Sequence, residues 1–255
     1  MNNRLFYIGA ATDTLKYTRK RLESRGCMVT SKPNADVTHL ILPVPSFSDS
    51  GTLRGEGDLK AILDALPKNI TVIGGNLSHK ALHDYSTMDL LQDEYYLAQN
   101  ARITAECAVQ IAMEQLPVTL FSAEVLVIGW GRIAKCLAKL LQGMGAEVTV
   151  TARKESDLAM ASSLGYGTFP LNGIAPRLPR YRLLFNTVPA VILPEPLTGS
   201  CGQDCVMIDL ASVPGIEGSR VIPARGLPGK MAPESSGNLI ANTILRNCMK
   251  KEVIP

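Results

Sequence analysis

The six residues Gly129-Trp130-Gly131-Arg132-Ile133-Ala134 constrain this chain more than any other stretch, because of what flanks them. The apolar run Val125-Leu126-Val127-Ile128 precedes them, and the helix-like run Lys135 to Met144 follows. The order is strand, glycine turn, helix. In a dinucleotide-binding unit the first glycine makes the tight turn and the second lets backbone approach a pyrophosphate. The third position must be small so that helix and strand pack closely, which Ala134 satisfies. A phosphate there meets a helix N-terminus, where unpaired N–H groups and the macrodipole favour an anion. A turn without a ligand carries the same pattern, so the flanks carry the argument.

After the helix, Ala146-Glu147-Val148-Thr149-Val150-Thr151 reads as a second strand that ends at Ala152-Arg153-Lys154. An acidic residue usually stands here and accepts hydrogen bonds from a ribose 2′-OH. Arg153 and Lys154 stand in its place, and cations suit a 2′-phosphate. The expected cofactor is therefore NADP rather than NAD, against the alternative of a solvated basic turn.

The rest of the chain alternates in the same way. Strands are expected at Leu5-Phe6-Tyr7-Ile8, residues 26–30, 38–43 and 70–73, with helices over 13–24 and 58–66. A second series places strands at 124–128, 147–151, 183–186 and 206–210, and helices at 132–142 and 155–164. Strands separated by helices imply parallel sheets covered on both faces. The fold class is α/β in two domains: an N-terminal flavodoxin-like parallel α/β domain over 1–103, and a C-terminal Rossmann dinucleotide-binding domain over 104–255. A helix within 104–120 links them, and a final helix near 235–250 is placed to pack back on the first domain. At 255 residues the chain is long enough for a buried core in each.

Composition narrows the function classes. A formal charge of +3, with Lys and Arg spread along the chain, argues against nucleic acid as a partner. No run approaches the ~20 apolar residues that span a bilayer. Leu5 to Ala11 is too short an apolar run for a signal peptide, so a reduced, cytoplasmic location is expected. The six cysteines are scattered. Cys201 and Cys205 have one metal-like spacing but no second pair, and His79 and His83 share a helix face without a third ligand; no metal is expected.

Ligands of such folds collect at the C-terminal ends of strands, and the substrate is expected between the domains. Two strand ends carry candidates for the nicotinamide side: Asn186-Thr187-Val188-Pro189, and Asp209-Leu210-Ala211-Ser212. All four residue types, Asn, Pro, Asp and Ser, also serve as ordinary turn formers. Gly226-Leu227-Pro228-Gly229-Lys230-Met231-Ala232-Pro233 reads as a rigid loop, with Gly229 and Lys230 as candidates to hold a carboxylate. In the first half, Ser46, Ser48, Ser50, Thr52 and Arg54 supply hydroxyls and one cation in a glycine-rich loop that suits a small anion; a mobile surface loop has the same make-up. No histidine lies beyond His83, so proton transfer falls to Glu106, Asp209, Lys230, a hydroxyl or water.

Together these segments resemble the A subunit of dipicolinate synthase, an NADP-binding family of spore-forming bacteria. The likeness is tightest at Val127 to Arg132, Ala152-Arg153-Lys154, Asn186 to Pro189, Ile208 to Ser212 and Gly226 to Pro233; Ile41 to Val44 and Thr104-Ala105-Glu106 carry it in the first half. It implies an NADP-dependent oxidoreductase subunit that turns a dihydrodipicolinate-type precursor into dipicolinate, a small dicarboxylate, during sporulation. It further implies a second, flavoprotein-like subunit; a homo-oligomer is expected. The chain departs from the family where Ile103 and Cys107 replace a Pro and a Gly, and where Ile216 replaces the second glycine after Pro214. A retasked or non-catalytic NADP-binding partner subunit, and a shikimate-dehydrogenase-like reductase, are the competing readings.

Overall fold

The computed structural model describes residues 4–253, with side chains through Met249. The chain divides into two compact units, one comprising residues up to Asn100 together with those from Pro228 onward, the other Ala101 to Leu227.

The first unit is built on a five-stranded sheet of β1 (Leu5–Ile8), β2 (Met28–Thr30), β3 (His39–Ile41), β4 (Thr71–Gly74) and β5 (Ser86–Asp89), in the order β2-β1-β3-β4-β5. All neighbours pair in parallel. Parallel strands covered on both faces read as unbroken apolar runs, and Leu40, Ile41, Leu42, Val72 and Ile73 are fully buried accordingly. Helix α1 (Asp13–Ser24) starts where Thr12 accepts a hydrogen bond from the Leu15 N–H, and it buries Leu15, Thr18 and Leu22 along one stripe. The left-handed Gly26, at φ +76°, ends it. A short helix, α2 (Leu59–Asp64), is capped by Asp58.

The last helix, α8 (Pro233–Val253), belongs to this unit and lies along α1. A side chain at Gly237 would strike the Thr14 carbonyl, so a glycine lets the two backbones approach. Thr18 Oγ1 donates to the Gly237 carbonyl at 3.2 Å, and Arg21 Nε donates to Asn242 at 3.1 Å. Farther along α8, Arg246 and Asn247 both donate to the Asp93 carboxylate, at 2.6 and 3.0 Å. That carboxylate also accepts from the Tyr96 N–H in the first turn of α3 (Glu94–Gln115). Burial opposes ionisation of Asp93, but hydrogen bonds from Asn247 and Tyr96 and the Arg246 charge outweigh it and hold its carboxyl below the usual range.

Helix α3 is longer at its start than the linking helix expected from sequence, beginning at Glu94 and ending at Gln115. Ile103 and Cys107 are buried inside it. A proline at position 103 would remove a backbone hydrogen bond in mid-helix, so Ile103 suits an unbroken helix.

The second unit holds a six-stranded parallel sheet: β6 (Glu124–Ile128), β7 (Glu147–Ala152), β8 (Gly167–Pro170), β9 (Leu183–Asn186), β10 (Val206–Asp209) and β11 (Val221–Pro223). The order is β11-β10-β9-β6-β7-β8, so the chain winds one way from β6 and the other way from β9. The central strands are the driest: Val125 to Ile128 and Leu183 to Asn186 are all fully buried. Helix α4 (Arg132–Gly143) turns Ala134, Leu137, Ala138 and Leu141 inward, and α5 (Glu155–Ser163) follows β7. A short α6 (Glu195–Thr198) follows β9. The Gly226 to Pro233 segment, expected as a rigid loop, instead forms a helical turn, α7 (Leu227–Met231), between the left-handed Gly226 and Pro233. Residues 80–82 likewise form one 3-10 turn, with His79 before it and His83 after it, rather than a helix presenting both histidines on one face. No helix of the described residues is long and apolar enough to cross a membrane.

Candidate functional site

The turn between β6 and α4 sits where the winding of the second sheet reverses, the position at which open α/β sheets leave a crevice. Its two glycines have different reasons to be glycine. Gly129 has φ +100°, and a Cβ there would lie 2.5 Å from Thr187 Oγ1 and 2.9 Å from Val188 Cγ2. The loop after β9 therefore closes over it, and Thr187 Oγ1 is tied to the Ile128 carbonyl at 2.8 Å. Gly131 has φ −79° and ψ −171°, and a Cβ there meets nothing within 4 Å. Gly131 is the N-cap of α4 and supplies no side-chain acceptor to the first-turn N–H groups. An exposed, uncapped helix N-terminus beside open space fits a phosphate, and Arg132 and Ile133 form its first turn.

Trp130 points elsewhere. Its ring is buried, meets Tyr166 edge-on at 5.6 Å between centroids, and lies under the Lys135 ammonium at 5.9 Å. Its indole N–H has no hydrogen-bond partner among the described residues.

At the end of β7, Ala152 is buried, whereas Arg153 and Lys154 are exposed and their side chains have no ion pair or hydrogen bond among the described residues. Lys154 is the N-cap of α5 and offers no acceptor there either. Two unpartnered cations and a second uncapped helix thus follow the strand next to the glycine turn.

The ends of β9 and β10 are joined by a buried polar cluster. Asn186 is fully buried and Asp209 is 5% exposed. Asn186 Nδ2 donates to Asp209 Oδ1 at 2.8 Å and to the Val188 carbonyl at 3.0 Å, while its Oδ1 accepts from the Val188 N–H. Asp209 Oδ1 also accepts from the Ala211 N–H at 3.1 Å, and Oδ2 accepts from the N–H groups of Gly215 and Ile216 at 2.7 and 3.2 Å. All four acceptor positions of the carboxylate are taken, which removes Asp209 from the candidates for a general base. Leu210 and Ala211 are buried with it; Ser212 and Pro189 are exposed. Ile216, where the resemblance led to the expectation of a glycine, packs into the core with Leu193.

The first unit's candidates divide differently. Ser46 is fully buried, donating to the Pro43 carbonyl at 2.8 Å and accepting from the Gly75 N–H at 3.0 Å. Its hydroxyl is part of the scaffold and corrects the expectation of a substrate donor. Residues 47–53 form a small hairpin, bridged at Phe47 and Leu53, in which Ser48, Ser50 and Thr52 hydrogen-bond to one another. Arg54 is exposed and donates Nε to the Phe47 carbonyl at 2.9 Å. Gly229 lies beside Thr14 of α1, and Lys230 is exposed with no partner among the described residues. Two clefts of this unit, of about 340 and 620 Å³, are lined by neither Ser46, Ser48, Arg54, Gly229 nor Lys230. Glu106, also a candidate for proton transfer, is exposed and paired with Arg102 at 2.8 Å.

No family model matches the chain. It is 24% identical over 238 residues to the A subunit of dipicolinate synthase from Bacillus subtilis (strain 168), covering 86% of this chain and 80% of that protein. The chain resembles the A subunit of dipicolinate synthase. The crystal structure of the A chain of dipicolinate synthase from Bacillus subtilis superposes with a TM-score of 0.84 at 21% identity, covering 100% of this chain and 99% of the other. A transhydrogenase from Sinorhizobium meliloti superposes with a TM-score of 0.72 at 14% identity, over 97% and 94% of the two chains. The shared feature at these identities is the fold, with its two parallel α/β units.

Proposed function

We propose that this protein is an NADP-dependent oxidoreductase of the dipicolinate synthase type, which oxidises a dihydrodipicolinate-type precursor to dipicolinate. The observation that carries the reading is the uncapped start of α4 beside Gly131, with unpartnered Arg153 and Lys154 at the end of the neighbouring strand. Backbone N–H groups of Gly131, Arg132 and Ile133 hold the pyrophosphate, and Arg153 and Lys154 hold the 2′-phosphate. Thr187, Val188, Leu210, Ala211 and Ser212 line the nicotinamide half.

Forming an aromatic pyridine ring from a dihydropyridine removes a hydride and a proton, and aromaticity supplies much of the driving force. The nicotinamide, when bound, accepts the hydride. The chain's residues have to orient the ring and hold its two carboxylates. Arg54 and Lys230 are the cations offered for the carboxylates, with Ser48 and the Gly229 backbone as neutral donors. The relative's designation as one subunit of a synthase supports a partner chain, here a flavoprotein-like one. Cytoplasmic work belongs to the same proposal, since the chemistry draws on a cellular NADP pool.

A non-catalytic NADP-binding subunit is the second reading. It is favoured by the saturation of Asp209 and the exposure of Glu106, which leave no buried base among the named candidates. The test is turnover by the purified chain alone, with dihydrodipicolinate as substrate and NADP reduction followed by absorbance. Turnover supports the enzyme. NADP binding without turnover favours the non-catalytic reading, and absence of NADP binding overturns both.

A further inference from the structure

Within the dinucleotide reading, we infer that the buried Asn186–Asp209 pair is the positioning element for the nicotinamide half of the cofactor. Neither side chain is placed to touch a ligand: both are buried and every polar atom is already paired. Their role is to lock the two backbone segments that do.

Three pieces of chain meet at the pair. The first is the loop after β9, whose Val188 exchanges hydrogen bonds with Asn186 through both its N–H and its carbonyl. The second is the end of β10, where the Ala211 N–H reaches Asp209. The third is Gly215-Ile216, whose N–H groups both reach the other carboxylate oxygen. Gly215 closes the knot, because its carbonyl accepts from the N–H groups of Ile192 and Leu193 at 2.8 and 3.1 Å. A Cβ at Gly215 would strike the Asn186 amide and come within 2.7 Å of the Ala190 carbonyl and 2.8 Å of the Val188 carbonyl. A single buried carboxylate, with Asn186 on it, thus fixes Val188 relative to Ala211, the two segments assigned above to the nicotinamide half. A fully satisfied polar network of this kind specifies one arrangement, since any slip leaves a buried charge without donors.

The geometry also limits the effect. Asn186 and Asp209 lie on the β9-β10 side of the switch point, whereas Gly131, Arg153 and Lys154 lie at the ends of β6 and β7. Val188 also packs beside Gly129, so loosening the knot should weaken the nicotinamide half far more than the adenosine half, without sparing the latter by construction. This separates a positioning role from a general one in folding, which would weaken both halves together.

The experiment is a pair of calorimetric titrations of the full chain, one with NADP and one with 2′-phospho-ADP-ribose, which lacks the nicotinamide ring. The variants are Asp209→Asn, which presents an amide N–H₂ to N–H donors, and Gly215→Ala, whose methyl pushes against the Asn186 amide and the Ala190 and Val188 carbonyls. The parent is expected to bind both ligands. Each variant should lose roughly tenfold or more in NADP affinity while losing far less of its affinity for 2′-phospho-ADP-ribose, and that retained binding also certifies that the variant is folded. Equal weakening of both ligands, or unchanged NADP affinity in a folded variant, overturns the inference and leaves the dinucleotide reading standing. A parent chain that binds neither ligand overturns both.

Discussion

Two glycines two residues apart should fail in opposite ways when replaced. Gly129→Ala places a side chain at φ +100°, where L-residues are strained by about 1–2 kcal/mol. It also drives a methyl to 2.5 Å from Thr187 Oγ1 and 2.9 Å from Val188 Cγ2. Neither neighbour yields freely, because Thr187 is bonded to the Ile128 carbonyl and Val188 to Asn186. Overpacking of this sort adds about 1–3 kcal/mol. The expected loss is about 2–5 kcal/mol, which lowers the unfolding midpoint of a unit of this size by roughly 7–19 °C.

Gly131→Val meets the opposite situation. The backbone there is extended, at φ −79° and ψ −171°, and the added side chain has nothing within 4 Å of its Cβ. The cost to stability should be that of a poorer N-cap residue, about 1 kcal/mol, well short of the loss at Gly129. The valine nevertheless fills the space beside the uncapped N–H groups, so NADP binding should fall by the worth of at least one charge-assisted hydrogen bond, about 1.5–3 kcal/mol or one to two decades. Thermal unfolding and calorimetry with NADP, run on both variants, decide the matter. A Gly131→Val protein as destabilised as Gly129→Ala, or one that retains parental NADP affinity, would refute the assignment of open space at Gly131 to a phosphate.

Arg153→Asp should flatten or reverse a preference for NADP over NAD, measured as the ratio of the two dissociation constants; equal binding of both cofactors by the parent would sink the 2′-phosphate assignment. Trp130 is the chain's one tryptophan and lies in the glycine turn, so reduced cofactor bound there should quench the intrinsic fluorescence by energy transfer, and a titration without quenching counts against binding at this turn. Arg54→Ala should weaken dipicolinate binding more than NADP binding in titrations with each ligand; an effect confined to NADP would remove Arg54 from the substrate side. Asp93→Asn should lower stability by about 1–3 kcal/mol at neutral pH, since Arg246 loses its counter-charge in a largely buried place. Because the folded-state pKa of Asp93 is depressed, that contribution is complete above the unfolded value of about 3.9 and disappears as pH falls through the folded one. Parent and variant denaturation curves should therefore converge only in acid; a constant gap down to the lowest pH would show that the ionised carboxylate is not what Asp93 contributes.

Several features of this protein were legible in its residues because their causes are local. The strand-glycine-helix order of Val125 to Met144 follows from apolar runs, two glycines and one small residue, all within a stretch that any fold of this type must satisfy in place. The central strands β6, β9 and β10 are legible because both of their faces are covered, which demands continuous apolar sequence. The strands that escaped notice, β5, β8 and β11, are all at sheet edges, three or four residues long and partly exposed. An edge strand buries too little to impose a pattern on its sequence.

Other features exist only because distant segments meet. Ser46 reads as a loop hydroxyl until Gly75, 29 residues on, takes its oxygen. Asp209 reads as a base until Asn186, 23 residues before it, and the Gly215-Ile216 backbone fill its acceptor sites. The tie between Thr18 and Gly237 spans 219 residues and closes the first unit with the last helix. Residue type and spacing along the chain can state which groups are able to donate, accept or carry charge. Which of those groups remain available to a ligand depends on who else has claimed them, and that is decided by burial and by partners that only the folded chain brings within reach.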